Sequence, residues 1–345
     1  MSGGITQLVS VGVQDRYLIG NPEVSFFKTN YRRHTNFSQC VDNLAIQGNP
    51  TASGISTIDL THKGDMVSFM YLSVNDGTTA LPIDWSTVID KVELLIGGQV
   101  IDSQDYTFMN DLAIDLLAQN VSRSFLGSHY SGGTSDEWFF PFRFFCCENS
   151  NSALPLISLQ YHDVVVRITW SAAFDNSFRF EFNANYIYLD TIERGIFSSS
   201  KSQEMLIYQV QKKAASNEKV QEIYFSHPVK FIVAKGGGVC TSNASLVTTL
   251  VNGTELGNAK YPKPNYTVVA SYYYSPYSVG NTEDYFLYSF CLDTSTLQPT
   301  GTLNFSRIDS ARFVSDNETF TTDLYAVNYN ILKMENGMGG LLYAD

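Results

Sequence analysis

Several groupings in this chain are of residue types that carry chemistry. His162-Asp163 sets an imidazole beside a carboxylate that could orient it, the beginning of a general-base relay. A relay needs a nucleophile, and no Gly-x-Ser-x-Gly elbow accompanies this one. On an apolar strand the pair reads as structural. Gly236-Gly237-Gly238 could wrap a phosphate, but the Lys-Ser/Thr that completes such a loop is missing. Asp102/Asp105 and Glu283/Asp284 are carboxylate pairs of the kind that serve glycoside hydrolysis. With 34 acidic residues in the chain, such proximity arises by chance. The five cysteines (Cys40, Cys146, Cys147, Cys240 and Cys291) contain no Cys-x-x-Cys pair. No His-rich or Asp-rich metal spacing stands beside them. We therefore expect no catalytic residues, no metal and no cofactor.

One modification remains open. Seven Asn-x-Ser/Thr sequons occur, at Asn36, Asn120, Asn243, Asn252, Asn265, Asn304 and Asn317. Asn243, Asn252 and Asn265 fall in a region read as outer loops and are the candidate glycosylation sites. Sequon glycosylation needs the secretory lumen, which this chain is not expected to enter. Asp15-Arg16 interrupts the only apolar run near the start, so no signal peptide is read. No stretch approaches the roughly 20 apolar residues that span a bilayer. Ser2 excludes N-myristoylation. An odd cysteine count suits a reducing compartment. The expectation is a soluble chain made in the cytosol, without a transmembrane segment.

Charge narrows the partners. The 22 basic and 34 acidic residues give a net charge of −12. A protein that neutralised nucleic-acid phosphates would show a basic face. The compact basic clusters are Arg32-Arg33-His34 and, more weakly, Lys212-Lys213. Both read as local anchors. Direct nucleic-acid binding is not expected.

The elements that must position these groups are strands. At 345 residues the chain suits two domains, each able to bury a core. Hydrophobic residues make up 44% and aromatics 14%, which favours pleated surfaces and large packed interfaces. Phe178 to Tyr186 alternates apolar and polar without a fault, a period of two with one face buried and one wet. Leu206–Gln211 and Tyr325–Ile331 alternate likewise. Val164–Trp170 and Tyr285–Phe290 read as strands buried on both sides. Val92–Ile96, Gly97-Gly98 and Gln99–Ile101 make a hairpin whose glycines supply the positive φ of a two-residue turn. One segment differs. From Asp105 to Gln119, Phe108, Met109, Leu112, Leu116 and Leu117 share a helical face, with Asp111 and Asp115 opposite. This predicts one amphipathic helix folded against a sheet.

The chain divides near Arg194 to Ser202, where Ser198–Ser202 reads as a polar linker. The organisation expected is an arm at 1–24, a first unit at 25–197, a linker at 198–204 and a second unit at 205–345. The halves have comparable strand counts, which suggests a duplication of architecture.

Six blocks carry a resemblance. They are Gly3–Phe37, Val92–Asp102, Ala153–Val164, Tyr188–Arg194, Gln298–Asp309 and Asn336–Ala344. In this order they resemble the major capsid proteins of nucleocytoplasmic large DNA viruses, the chlorella-virus (phycodnavirus) and mimivirus-like group. The third block is similar to that family's LPLIALQYHEV segment. The resemblance implies an all-β fold of two tandem eight-stranded jelly rolls, with the short helix inserted in the first. It implies a structural protein, not an enzyme: a homotrimer whose six wedges form a pseudo-hexagonal capsomer tiling an icosahedral shell. Its partners would be neighbouring capsomers and minor capsid proteins beneath the shell. Its place would be the virion, after synthesis in the host cytoplasm. Between Lys235 and Asp284 the chain is shorter than the family, whose long loops there form outward towers. Glycans in chlorella-virus relatives sit at sites that do not follow the sequon.

The arm, whose regular structure is expected to be interrupted by Gly3-Gly4, Gly12 and Gly20-Asn21-Pro22, is expected along the inner side of the shell, with Arg32 and Arg33 as contacts. Trp138–Phe142 and Tyr272–Tyr274 are candidates for either core or subunit contact. The alternative function is a jelly-roll carbohydrate-binding or glycan-cleaving protein, because such sandwiches host both.

Overall fold

The computed structural model describes residues 3–61, 63–123, 136–174, 178–199, 202–278 and 285–343. Among the described residues, sixteen strands form the body of four antiparallel sheets, and Ile83–Asp84 pairs with Asp136–Glu137 in a separate two-stranded one. The first half holds β1 (Phe37–Leu44), β2 (Ile55–Asp59), β3 (Met66–Asn75), β4 (Ile89–Ile96), β5 (Gln99–Asp105), β6 (Phe139–Pro141), β7 (Val164–Trp170) and β8 (Arg179–Leu189). The second half holds β9 (Ser202–Lys213), β10 (Val220–Glu222), β11 (Pro228–Lys235), β12 (Val247–Val251), β13 (Thr254–Glu255), β14 (Tyr285–Ser289), β15 (Ala311–Ser315) and β16 (Leu324–Glu335). Shorter strands extend these sheets, among them Met338–Leu341 beside β16.

The sheet orders are β1-β8-β3-β6 and β2-β7-β4-β5 in the first half. In the second they are β9-β16-β11-β14 and β10-β15-β12-β13. Adding eight to each label of the first half reproduces the second. Each half is thus an eight-stranded jelly roll, and the duplication lies in the topology. Tight turns repeat as well. Gly97-Gly98, with φ of +56° and +82°, joins β4 to β5, and Asn252-Gly253, with φ of +50° and +78°, joins β12 to β13.

Each sandwich fills with the inward residues of its two sheets. In the first, Leu72, Phe140 and Phe182 meet Val92, Leu94 and Ile168. Trp170 and Phe180 pack at 5.1 Å between ring centres, and Phe142 stacks on Phe182 at 5.5 Å. In the second, Phe286 and Phe313 meet edge to face at 5.6 Å. Such pairs add about 0.5–1.5 kcal/mol each beyond their buried area.

Several expectations change. Val164–Trp170 alternates buried and half-buried residues, so this apolar run lines one core face only. Tyr325–Asn330, expected to have a wet face, is buried throughout. Leu324 and Ala326 face the core of their own sandwich, while Tyr325, Val327 and Tyr329 face the first half. The helix spans Thr107–Leu112 and Ala113–Leu116, and its acidic side is not left in water. Asp115 is buried, and Asp111 pairs with Lys235 of β11. Thr191–Ser199 is helical, so the first part of the expected linker is a helix and β9 begins at Ser202. Residues 200 and 201 lie outside the described residues.

Residues up to Asn36 form a compact unit of their own. It contains helices at Gly3–Val9 and Arg16–Ile19, with a 3-10 turn at Val13–Asp15 between them. Gly3-Gly4 therefore does not prevent a helix. Leu8, Tyr17, Phe26 and Phe27 are almost fully exposed.

Candidate assembly surfaces

The two jelly rolls are joined by a built junction. The first half contributes β5, the helix at 107–116 and the stretch from Arg143 to Glu148; the second contributes β9, β11 and β16. Asp102 on β5 is 3% exposed and accepts hydrogen bonds from the Val210 amide of β9 at 3.0 Å and from Gln104 Nε2 at 2.6 Å. Burial pushes its carboxyl up to about 7, against the pull of those donors. Lys212 Nζ reaches Asp105 at 2.6 Å and Asp323 at 2.9 Å. Burial opposes the charge on Lys212, but these two hydrogen bonds outweigh it and raise its pKa above the ordinary range. Lys235 pairs with Asp111 at 2.6 Å, and Tyr208 donates to the Arg143 carbonyl at 3.2 Å. Between these bonds lie apolar contacts, including Phe108 on Tyr325 at 5.7 Å.

The C-terminal strand adds a second tie. His162 Nδ1 lies 2.9 Å from the Gly339 carbonyl and 3.2 Å from its amide. The Tyr161 amide donates to the Gly337 carbonyl at 2.9 Å. Asn336-Gly337, with φ of +53° and +79°, turns the chain so that Met338–Leu341 returns along β16. His162 is thus spent on a backbone tie. The Asp102/Asp105 pair is spent on the junction, where the two carboxylates serve β9 and not a shared substrate position. Glu283/Asp284 lies outside the described residues. Among the described residues no cluster of three or more His, Cys, Asp or Glu is arranged to hold a metal. Cys146, Cys147, Cys240 and Cys291 are buried thiols, and Cys40 is exposed.

The structure places the other sequence-derived candidates apart. Arg32 and Arg33 are exposed in the N-terminal unit. Asn243 is exposed, but the hydroxyl of Ser245 in its sequon is buried against Ser315 at 2.7 Å and Asp316 at 2.8 Å. Asn252 is the first residue of the β12–β13 turn, and its side-chain carbonyl accepts from the amides of Asp309 and Ser310, each at 3.0 Å. Asn265 donates to the Tyr261 carbonyl at 2.9 Å, and Thr267 of its sequon is fully buried. These three do not form one site.

The aromatic segments divide between core and surface. Phe140 and Phe142 are core, while Trp138 is 54% and Phe139 37% exposed. Trp138 and Phe139, with Phe69, Tyr71, Pro141 and the charged Arg123, Glu137 and Arg143, line a cavity of about 290 Å³ beside β3 and β6. In the second half, Tyr272 and Tyr273 are 79% and 69% exposed on a helical stretch that runs from Asn265 to Tyr274.

Comparison with known proteins decides the family. Residues 25–190 match the family described as major capsid protein N-terminus, and residues 237–340 match large eukaryotic DNA virus major capsid protein. The major capsid protein of Pyramimonas orientalis virus is 33% identical over an alignment of 406 positions covering the whole of both chains. The chain belongs to the major capsid protein family of large eukaryotic DNA viruses. The major capsid protein of Paramecium bursaria Chlorella virus 1 is 30% identical over 445 positions, again covering both chains in full. Both alignments exceed the 345 residues of this capsid-family chain, so the relatives carry residues that it lacks. In fold it is similar to the crystal structure of PBCV-1 VP54, with a TM-score of 0.78 at 23% identity, covering 93% of this chain and 100% of that one. The expected double jelly roll stands. The carbohydrate-binding or glycan-cleaving alternative finds no support among these capsid proteins.

What the sequence reading missed in this capsid protein is the junction. Asp102 and Lys212, which hold it together, lie 110 positions apart on strands of different halves, and nothing local to either pairs them.

Proposed function

We propose that this chain is the structural subunit of an icosahedral capsid and works as a homotrimer. Two jelly rolls per chain and three chains give six wedges, a pseudo-hexagonal block able to tile a facet. The observation that carries this reading is the repeated strand order of two sandwiches welded through Asp102, Lys212 and Lys235. A rigid pair of like wedges is the building block such a ring requires. The role is mechanical and non-enzymatic, which the family membership supports. The units are an arm at 1–24, jelly rolls at 25–197 and 205–345, and a connection at 198–204. The arm runs along the inner side of the shell, with Arg32 and Arg33 toward neighbours or minor capsid proteins. Assembly takes place in the host cytoplasm. Size-exclusion chromatography with light scattering tests the trimer: the expected mass is three times 38.5 kDa. A monomer with measurable sugar affinity would overturn the proposal.

A further inference from the structure

We propose that the junction between the two jelly rolls is a binding site for a single monatomic anion, chloride, held by Lys230 and Tyr329. The site lies within one chain, so it stands or falls independently of the trimer.

The pairing of β11 with β16 carries one irregularity. Val229 pairs with Asn328 and Phe231 with the adjacent Val327, which leaves Lys230 as an extra residue in the ladder. A bulge of this kind re-aims the side chain that it carries. Here Lys230 is turned to the junction side, where it is 4% exposed. The corresponding shift in the first sandwich leaves Ser68 and Phe69 opposite Asn185, with no cation. The fold therefore uses the bulge in both halves but does not need a lysine in it.

A buried ammonium needs acceptors for its three protons and a partner for its charge. Lys230 Nζ donates to the carbonyls of Thr294 and Thr296, at 2.8 and 3.1 Å. One proton remains, and neutral carbonyls leave the charge in place. Among the described residues no carboxylate forms an ion pair with Lys230. Asp293, whose charge it feels, accepts the amide and the hydroxyl of Ser295 at 2.8 and 2.7 Å. Glu148, which lines the same cavity, is held by Arg143 at 3.1 Å and Arg123 at 3.2 Å. Three cations (Arg123, Arg143 and Lys230) against these two carboxylates leave one positive charge. Burial pushes the Lys230 pKa down, against the pull of Cys291 and Asp293. An anion beside Nζ would offset that burial.

Tyr329 on β16 supplies the second donor. It is 8% exposed, its ring centre lies 5.9 Å from Lys230 Nζ, and among the described residues its hydroxyl has no hydrogen-bond partner. Lys230 and Tyr329 line one cavity of about 30 Å³, with Leu117 and Phe145 of the first half on its other side. That volume is about the share of one molecule in liquid water. Phosphate, sulfate and carboxylate groups are too large for it. A monatomic anion fits and accepts from both donors. A water molecule would satisfy the hydroxyl but leave the charge. Leu206 and Leu297 line the same cavity and are 46% and 37% exposed, so an ion can enter from the surface. Bordered by both halves, the ion would act as a further tie between them.

The test uses the full chain, with bromide and chloride as probes. Crystals grown in sodium bromide should show an anomalous peak within hydrogen-bond reach of Lys230 Nζ and Tyr329 Oη. In solution, chloride replaces gluconate at fixed ionic strength and protein concentration. Going from about 1 to about 300 mM chloride should raise the urea midpoint by about 0.5 M, through binding to the folded state alone. Lys230→Met keeps the stem, drops the charge and should abolish that rise. Tyr329→Phe removes one oxygen from a packed ring and should weaken chloride binding about tenfold. If the methionine variant does not fold, the bromide map of the parent and the phenylalanine variant decide. Water at this position, or halide peaks only elsewhere, overturns the site. So does a chloride effect that every folded variant keeps in full. A bromide peak with no chloride dependence in solution is binding at crystal concentration only, and overturns it too.

Discussion

At the scale of single residues, the junction turns on Asp102. Its carboxyl accepts the Val210 amide, so it holds β9 in register against β5, yet burial pushes its pKa up to about 7. In the unfolded chain the same group ionises near 3.8. Between those values the folded state keeps a proton that the unfolded state has lost. Asp102 therefore stabilises the fold most at low pH, and its contribution falls as pH rises to about 7 and levels off above. From pH 6 to pH 8 the loss comes to about 1 kcal/mol. Urea midpoints at fixed protein concentration should be higher at pH 6 than at pH 8. Asp102→Asn, which keeps a carbonyl for Val210 and has no proton to lose, should flatten that difference. Glu137, also pushed up to about 7 by burial, leaves a residual slope of the same sign. Asp102→Ala should instead lower stability at both pH values by about 1–3 kcal/mol, because the Val210 amide is left buried and unpaired. An Asn variant with the parent's full pH slope would show that the carboxyl does not titrate in this window.

At the scale of elements, the two tight turns show what was legible and what was not. Gly97-Gly98 stands out because two glycines sit between apolar runs, and the hairpin forms as expected. Its second requirement is invisible in the sequence: a side chain on Gly97 would run into the His162 ring, whereas Gly98 faces open space. Gly98→Ala should therefore cost about 1 kcal/mol, the penalty of left-handed backbone alone. Gly97→Ala should cost about 2–4 kcal/mol, since it also displaces His162 from Gly339. In a His162→Ala background the two glycine substitutions should become equal, as a double-mutant cycle on urea midpoints would read. Asn252-Gly253, the counterpart turn, carries a strong hairpin signal that the sequon reading concealed. Alternation locates β8 and β16 correctly but predicts a wet face on β16 that the fold does not have. Period two reports that the faces differ; it does not say that one of them meets water. The cover over Tyr325, Val327 and Tyr329 comes from β5 and the 107–116 helix, distant in the chain, and Asp111 and Lys235 show no local sign that they belong together.

At the scale of the whole molecule, the uneven burial of hydrophobic side chains separates what one chain completes from what assembly must complete. From Phe37 onward the two sandwiches bury their cores and their shared junction. The unit ending at Asn36 has no buried residue in its helices, and it exposes Leu18, Phe26, Phe27 and Tyr31 at 84%, 92%, 100% and 90%. Apolar surface of this kind gains by burial in proportion to its area, on the order of 25 cal/mol per Å². Neither sandwich needs the arm for its core, so removing it should not unfold the jelly rolls or separate their trimer. Deletion of residues 2–20 is expected to leave the size-exclusion mass at that of a trimer, less the arms, and the stability in urea within about 0.5 kcal/mol of the parent. The same deletion should impair closed-shell formation when co-expressed with the remaining capsid components, read by electron microscopy of the particles. Shells of normal size and yield from the truncated chain would refute the assignment of the arm to contacts between capsomers. Loss of the trimer would instead place residues 2–20 in the contacts within the capsomer.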